Sequence, residues 1–134
     1  MTKLLKIEGV GETYAGKLKS AGIKTAEALL EKGTTPKDRK AIAEQSGIGD
    51  GLILTWINHM DLCRVKGIGE EYSQLLEEAG VDTIPELAQR NPENLFKKLV
   101  EVNEEKQLVR KMPVLSQVAD WIEQAKCLPR KIHY

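Results

Sequence analysis

Aromatic side chains are scarce in this 134-residue chain: Phe96 is the sole phenylalanine, joined by Trp56, Trp121, Tyr14, Tyr72 and Tyr134. Any core is therefore mostly aliphatic. Cysteine is scarcer still. Cys63 and Cys127 are far apart and lack a clustered His or Cys, so the four grouped ligands of a zinc site are missing. They read as two small semi-buried thiols in a reducing compartment. Histidine is limited to His59 and His133, read as surface residues or satisfied partners. No apolar run approaches the roughly 20 residues that span a bilayer. Met1-Thr2-Lys3-Leu4-Leu5-Lys6 is charged too early for a secretion signal. A cytoplasmic protein with no membrane partner is expected. An excess of charge is absent too, with 20 Lys and Arg against 20 Asp and Glu. Proteins held by phosphates carry a basic excess on at least one face, so here such a face has to be drawn from a balanced total.

What is present is a soluble globular composition, 41% hydrophobic and 30% charged, long enough to bury a core unaided. The chain also repeats itself. Leu4 to Leu18 aligns without a gap on Leu62 to Leu76, matching both glycines of Gly9-Val10-Gly11 and Gly67-Ile68-Gly69, the Glu after them, and Tyr14 with Tyr72. The match runs on through Ala21-Gly22 and Ala79-Gly80, Thr25 and Thr83, and Leu29 and Leu87, all at one offset. Val118-Ala119-Asp120-Trp121-Ile122 echoes Leu52 to Ile57. Two units follow, residues 1–60 and 61–134, packed as one globular body.

The punctuation is helical throughout. Tyr14, Ala15, Leu18 and Ala21 share one face of a half-buried helix that Gly22 can cap. Thr25, Thr35 followed by Pro36, and Thr83 in a capping box with Glu86 are N-cap signals, and Asn91-Pro92 opens a further helix. Leu52 to about Cys63 is a long helix packed through Ile53, Trp56 and Ile57. In the second unit the equivalent of Gly47-Ile48-Gly49 has lost its glycines. β-branched residues nowhere alternate over a useful length, so strands are not expected.

A Gly-hydrophobic-Gly between helices has two physical uses. The glycines allow positive φ angles while Val10, Ile48 or Ile68 plugs the groove between helices. The bare backbone also lets amides at the next helix's N-terminus approach an anion, helped by the helix dipole. Glu12, Glu70-Glu71 and Asp50 lie just after the second glycines; carboxylates there stabilise the helix and repel an anion, so these turns read as self-capped. Lys3, Lys6, Lys17, Lys19 and Lys24 surround the first turn, and Arg64 and Lys66 lead into the third. Further basic groups stand at Lys106, Arg110 and Lys111 and at Lys126, Arg130 and Lys131. No nucleotide loop, metal-spaced set or nucleophile–base pair is present, so a non-enzymatic protein without cofactor or metal is expected.

Ile7-Glu8-Gly9-Val10-Gly11 with Tyr14, Leu18, Ala21-Gly22-Ile23 and Thr25, and its counterpart from Val65 to Thr83, resemble the tandem helix-hairpin-helix superfamily. The Ala-Gly-Ile-x-Thr stretch is also similar to the hairpin region in the C-terminal domain of the α chain of RNA polymerase. Over nearly its full length the chain resembles an uncharacterised bacterial family of double helix-hairpin-helix proteins, a domain of unknown function. The resemblance implies an all-α fold and DNA or protein binding, with no activity.

The fold expected is all-α, two tandem helix-hairpin-helix units in a compact, pseudo-two-fold arrangement. In it the Trp121 helix packs back beside residues 4–18, within a monomer or between chains as a swapped homodimer. The function expected is sequence-independent contact with double-stranded DNA through Gly9, Val10, Gly11, Gly47, Gly49, Gly67, Ile68 and Gly69, with Lys6, Lys17, Arg64 and Lys66 supplying charge. The alternative is an adaptor that binds another protein.

Overall fold

The computed structural model describes residues 3, 4, 7 and 9–133. Among them the chain is all-α: eight helices, no strand, and one isolated antiparallel bridge between Lys3 and Thr25. They divide into two compact units. Unit 1 takes the described residues up to Asp61 together with residues 131–133, and unit 2 runs from Leu62 to Arg130.

Unit 1 contains α1 (Glu12–Ser20), α2 (Ala26–Lys32), α3 (Pro36–Ser46) and nearly all of α4 (Asp50–Leu62). The helix starts expected from sequence are in place. Thr25 Oγ1 accepts the Ala28 amide at 3.1 Å and Thr35 Oγ1 accepts the Asp38 amide at 3.2 Å. Each thus satisfies an amide that the first turn leaves without an intrahelical acceptor. Pro36, which has no amide to lose, occupies the first helical position of α3. Gly22 turns the chain after α1 at φ +85°, as expected. Leu18, Leu29, Ile42, Ile53, Trp56 and Ile57 are buried in one core.

Unit 2 contains α5 (Glu70–Glu78), α6 (Ile84–Ala88), α7 (Pro92–Lys106) and α8 (Leu115–Cys127). Thr83 Oγ1 accepts the Glu86 amide at 3.2 Å, and Asn91 Oδ1 accepts that of Asn94 at 3.0 Å. The reciprocal half of the capping box at Thr83 is displaced by one residue. The Glu86 carboxylate accepts the Asp82 amide and lies against the Asp82 side chain; partial desolvation, then that like charge, raises its pKa. Leu75, Leu76, Leu87, Leu95, Leu99, Val118, Trp121 and Ile122 form this unit's own core.

Where unit 1 has Gly47-Ile48-Gly49, unit 2 has the longer stretch 107–114. Gln107 caps α7 in the left-handed region at φ 51°, doing without glycine what Gly47 does at φ +75°. Asn103 then clamps the loop through both atoms of its amide, accepting from the Val109 amide at 3.0 Å and donating to the Val109 carbonyl at 3.3 Å.

The Trp121 helix, expected beside residues 4–18, has its packing partners within its own unit. Tyr72 meets Trp121 with ring centroids 5.3 Å apart, and Tyr14 meets Trp56 at the same distance. Each unit is therefore closed by its own last helix. The physical reason is shared by both: the tryptophan edge lies against the first glycine of its own unit's turn. A Cβ at Gly9 would stand 3.4 Å from Trp56 Nε1, and one at Gly67 only 2.9 Å from Trp121 Nε1. The short turn in front of each glycine is also repeated. Ile7 and Val10 donate to Leu4 and Ile7 as Val65 and Ile68 donate to Leu62 and Val65, all at 3.1 Å.

Candidate functional site

In all three glycine turns the two glycines do different work. The first is left-handed: Gly9 at φ +87°, Gly47 at +75° and Gly67 at +99°. Between the glycines, Val10, Ile48 and Ile68 are buried, filling the groove as expected. The second glycine is extended. Gly11 has φ −88° and ψ −176°, and Gly69 has φ −106° and ψ −166°, angles open to any residue. Each second glycine opens a helix: its carbonyl accepts the amide four residues on, Gly11 from Ala15 and Gly69 from Ser73 at 2.9 Å, Gly49 from Ile53 at 3.2 Å. A Cβ built on Gly11, Gly49 or Gly69 would meet nothing within 4 Å.

The helix starts at Gly11 and Gly69 also lack a side-chain cap. Glu12, Glu70 and Glu71 stand exposed in the first turns, where the sequence put them, while the glycine ahead of them has no side-chain acceptor to offer. Four other helices in the same chain, α2, α3, α6 and α7, carry Thr or Asn at that place.

The basic residues expected around the turns have diverged in role. Lys6 lies outside the described residues. Lys17 is exposed with its ammonium 5.8 Å from the Tyr14 ring centroid, a cation–π distance. It stands six residues beyond Gly11, about 9 Å along the helix axis, so it supplies field at the turn rather than contact. Arg64 is engaged structurally: its Nη2 donates to the Pro129 carbonyl at 2.7 Å. Lys66 keeps an exposed side chain while Gln124 holds its backbone on both sides. The Gln124 Oε1 accepts the Lys66 amide at 2.8 Å, and its Nε2 donates to the Lys66 carbonyl at 3.1 Å. Lys106 pairs with Glu78 and Lys126 with Glu123.

The two copies differ in charge. Unit 1 holds ten Lys and Arg against eight Asp and Glu, and unit 2 holds ten against twelve, giving +2 and −2. Aligned 58 residues apart, Lys17, Lys19 and Lys24 of unit 1 become Leu75, Glu77 and Asp82 in unit 2. Leu75 is buried where Lys17 is exposed.

Sequence reading missed one repeated device. Lys32 Nζ donates to the Gly22 carbonyl at 3.2 Å and Arg90 Nη2 to the Gly80 carbonyl at 3.0 Å. Both place a cation where the helix dipole is negative. The signal was available as a basic residue ten positions after each Ala-Gly. His59, expected at the surface or as a satisfied partner, is buried. Among the described residues no group of three or more His, Cys, Asp and Glu is placed to hold a metal ion, and no helix is long and apolar enough to cross a membrane.

The fold and turns define an all-α chain of two repeated helical units, each entered through a glycine turn and closed by a tryptophan helix. The chain belongs to the family described as Domain of unknown function (DUF4332), the match spanning residues 8–128. No curated protein and no solved structure matches it.

Proposed function

We propose that this chain is a non-enzymatic, tandem helix-hairpin-helix protein that contacts the nucleic-acid backbone without reading sequence, chiefly through Gly9-Val10-Gly11. The observation that carries this reading is the second glycine. Gly11 and Gly69 stand in a backbone conformation open to every residue, in empty surroundings, at helix starts without a side-chain cap. Neither backbone strain nor packing inside the protein calls for glycine there. A Ser or Thr would cap those helices better, as Thr25, Thr35 and Thr83 cap theirs. Glycine instead leaves the first-turn amides open to an anion from outside. The charge of unit 1 favours its copy of the turn, and backbone contact of this kind positions a protein on DNA without specifying sequence.

The test is fluorescence anisotropy of a labelled DNA duplex with wild type and Gly11→Ser. Serine supplies its own cap oxygen, so the variant should be as stable as wild type or a few tenths of a kcal/mol more stable. DNA affinity should fall about tenfold, the size of one charge-assisted hydrogen bond. Wild-type binding should also weaken steeply with salt. Absence of binding at low salt, or a Gly11→Ser variant that binds like wild type, removes this reading and turns the search to protein partners. For a protein partner the exposed apolar surface is small: among the described residues Val114 and Leu115 are its large side chains.

A further inference from the structure

Residues 131–133 follow α8 in sequence, yet their partners lie in unit 1. Ile132, 1% exposed, is part of the unit 1 core. The His133 amide donates to the Thr34 carbonyl at 2.7 Å, and the His133 carbonyl accepts Arg39 Nη2 at 2.8 Å. The same guanidinium donates Nη1 to the Gly33 carbonyl at 2.9 Å. The Lys131 ammonium pairs with the Glu31 carboxylate. The corner between α2 and α3 is fixed by Gly33, where a Cβ would lie 2.2 Å from Ile57 Cδ1. Glycine lets the corner sit hard against α4.

These contacts share the logic of peptide capture. The incoming segment is gripped through its own amide and carbonyl, one β-branched side chain enters an apolar site, and one cation meets a carboxylate at the rim. Arg39 is 4% exposed, and a buried guanidinium has to spend its donors on acceptors. One of these acceptors arrives with the segment. Helix α8 stops short of the segment for a local reason: Leu128, just before Pro129, has φ −76° and ψ 133° and cannot continue it.

We propose that the α2–α3 corner of unit 1 is a docking groove for an extended peptide, and that residues 131–133 are a detachable strap filling it in cis, on which the order of unit 1 depends. Three residues make a weak ligand by themselves. The tether supplies an effective concentration of about millimolar, which keeps the groove filled. The natural occupant of the groove is a short basic–aliphatic segment, and this chain provides it.

The experiment compares the full chain with one ending at Arg130, each in two backgrounds. Trp121→Phe leaves Trp56 as the reporter of unit 1, and Trp56→Phe leaves Trp121 as the reporter of unit 2. Shortening should lower the unfolding midpoint seen by Trp56 and leave that seen by Trp121. A synthetic peptide of residues 128–134 at millimolar concentration should restore the Trp56 midpoint, and its Ile132→Ala version should not. An unchanged Trp56 midpoint overturns the proposal. So does a lowered one that the peptide fails to restore, which makes residues 131–133 an ordinary piece of core. Should the shortened chain fail to accumulate, Ile132→Ala in the full chain is followed by amide hydrogen exchange. Lost protection confined to α2 and α3 supports the strap; uniform loss or none overturns it.

Discussion

At Gly67 two demands fall on one residue, a φ of +99° and an indole nitrogen 2.9 Å from where a Cβ would sit. Gly69, two residues on, faces neither. Gly67→Ala is therefore expected to cost about 1–3 kcal/mol in chemical denaturation, the range for a non-glycine residue held in a sparsely populated backbone region. Gly69→Ser should leave stability within about 0.5 kcal/mol of wild type. Equal costs at the two positions would refute this division of labour. The sequence shows both glycines of each pair but not their separate duties, because the spacing of Gly-x-Gly is silent on which φ is positive.

Cys63 is an exposed residue whose thiol is pushed up from 9.0 to about 11, first by partial burial of the sulfur and then by the Glu70 carboxylate. The folded state thus favours the neutral thiol. Its contribution to stability is present below pH 9 and is lost as pH rises from 9 towards 11. Alkylation of folded Cys63, followed by peptide mass mapping, should accelerate about tenfold per pH unit up to about pH 11 because the thiolate is the nucleophile. A plateau near pH 9 in the folded protein would contradict this. Glu70→Gln should move the profile part of the way down.

Among the helices, local chemistry was the most legible part of the fold. Thr25, Thr35, Thr83 and Asn91 each cap the helix their position announces, because a cap needs only a side-chain oxygen and an amide three residues on. Thr83→Ala should cost about 1 kcal/mol, read as a loss in the Trp121 transition with the Trp56 transition unmoved. The partners of the two tryptophan helices were not legible. Periodicity identifies the apolar face of α8 but not what covers it, and the echo between Trp56 and Trp121 fitted a return to residues 4–18 equally well. Tyr72 decides it, being the aromatic neighbour within the same unit. The Asn103 clamp was hidden for a related reason: an amide closing a loop six residues away leaves no pattern in the sequence.

Taken as a whole, the molecule carries two aliphatic cores of similar plan and opposite net charge. The neutral total seen in the sequence is the sum of a basic and an acidic copy, so a duplicated fold has been free to divide its surface. If the first turn is the one that meets phosphate, Lys17→Glu should shift DNA binding more than Lys66→Glu in salt-dependent anisotropy. A larger effect at Lys66 would place the contact in unit 2. The repeat and the glycine turns were readable from spacing. The charge division required knowing which residues each core gathers, and residues 131–133 joined the first core without any local mark.

The return of residues 131–133 to the first core bears on biosynthesis. Arg39 meets His133 across 94 residues of chain, and Glu31 meets Lys131 across 100. Domains made on the ribosome ordinarily fold in the order they emerge. Here a piece of the first unit's core, Ile132, is made after the whole of the second unit, so the first cannot be complete before the second has been synthesised. A released chain that ends at Arg130 should therefore show a native Trp121 environment and an unfinished one at Trp56, the unit made first being the one left incomplete.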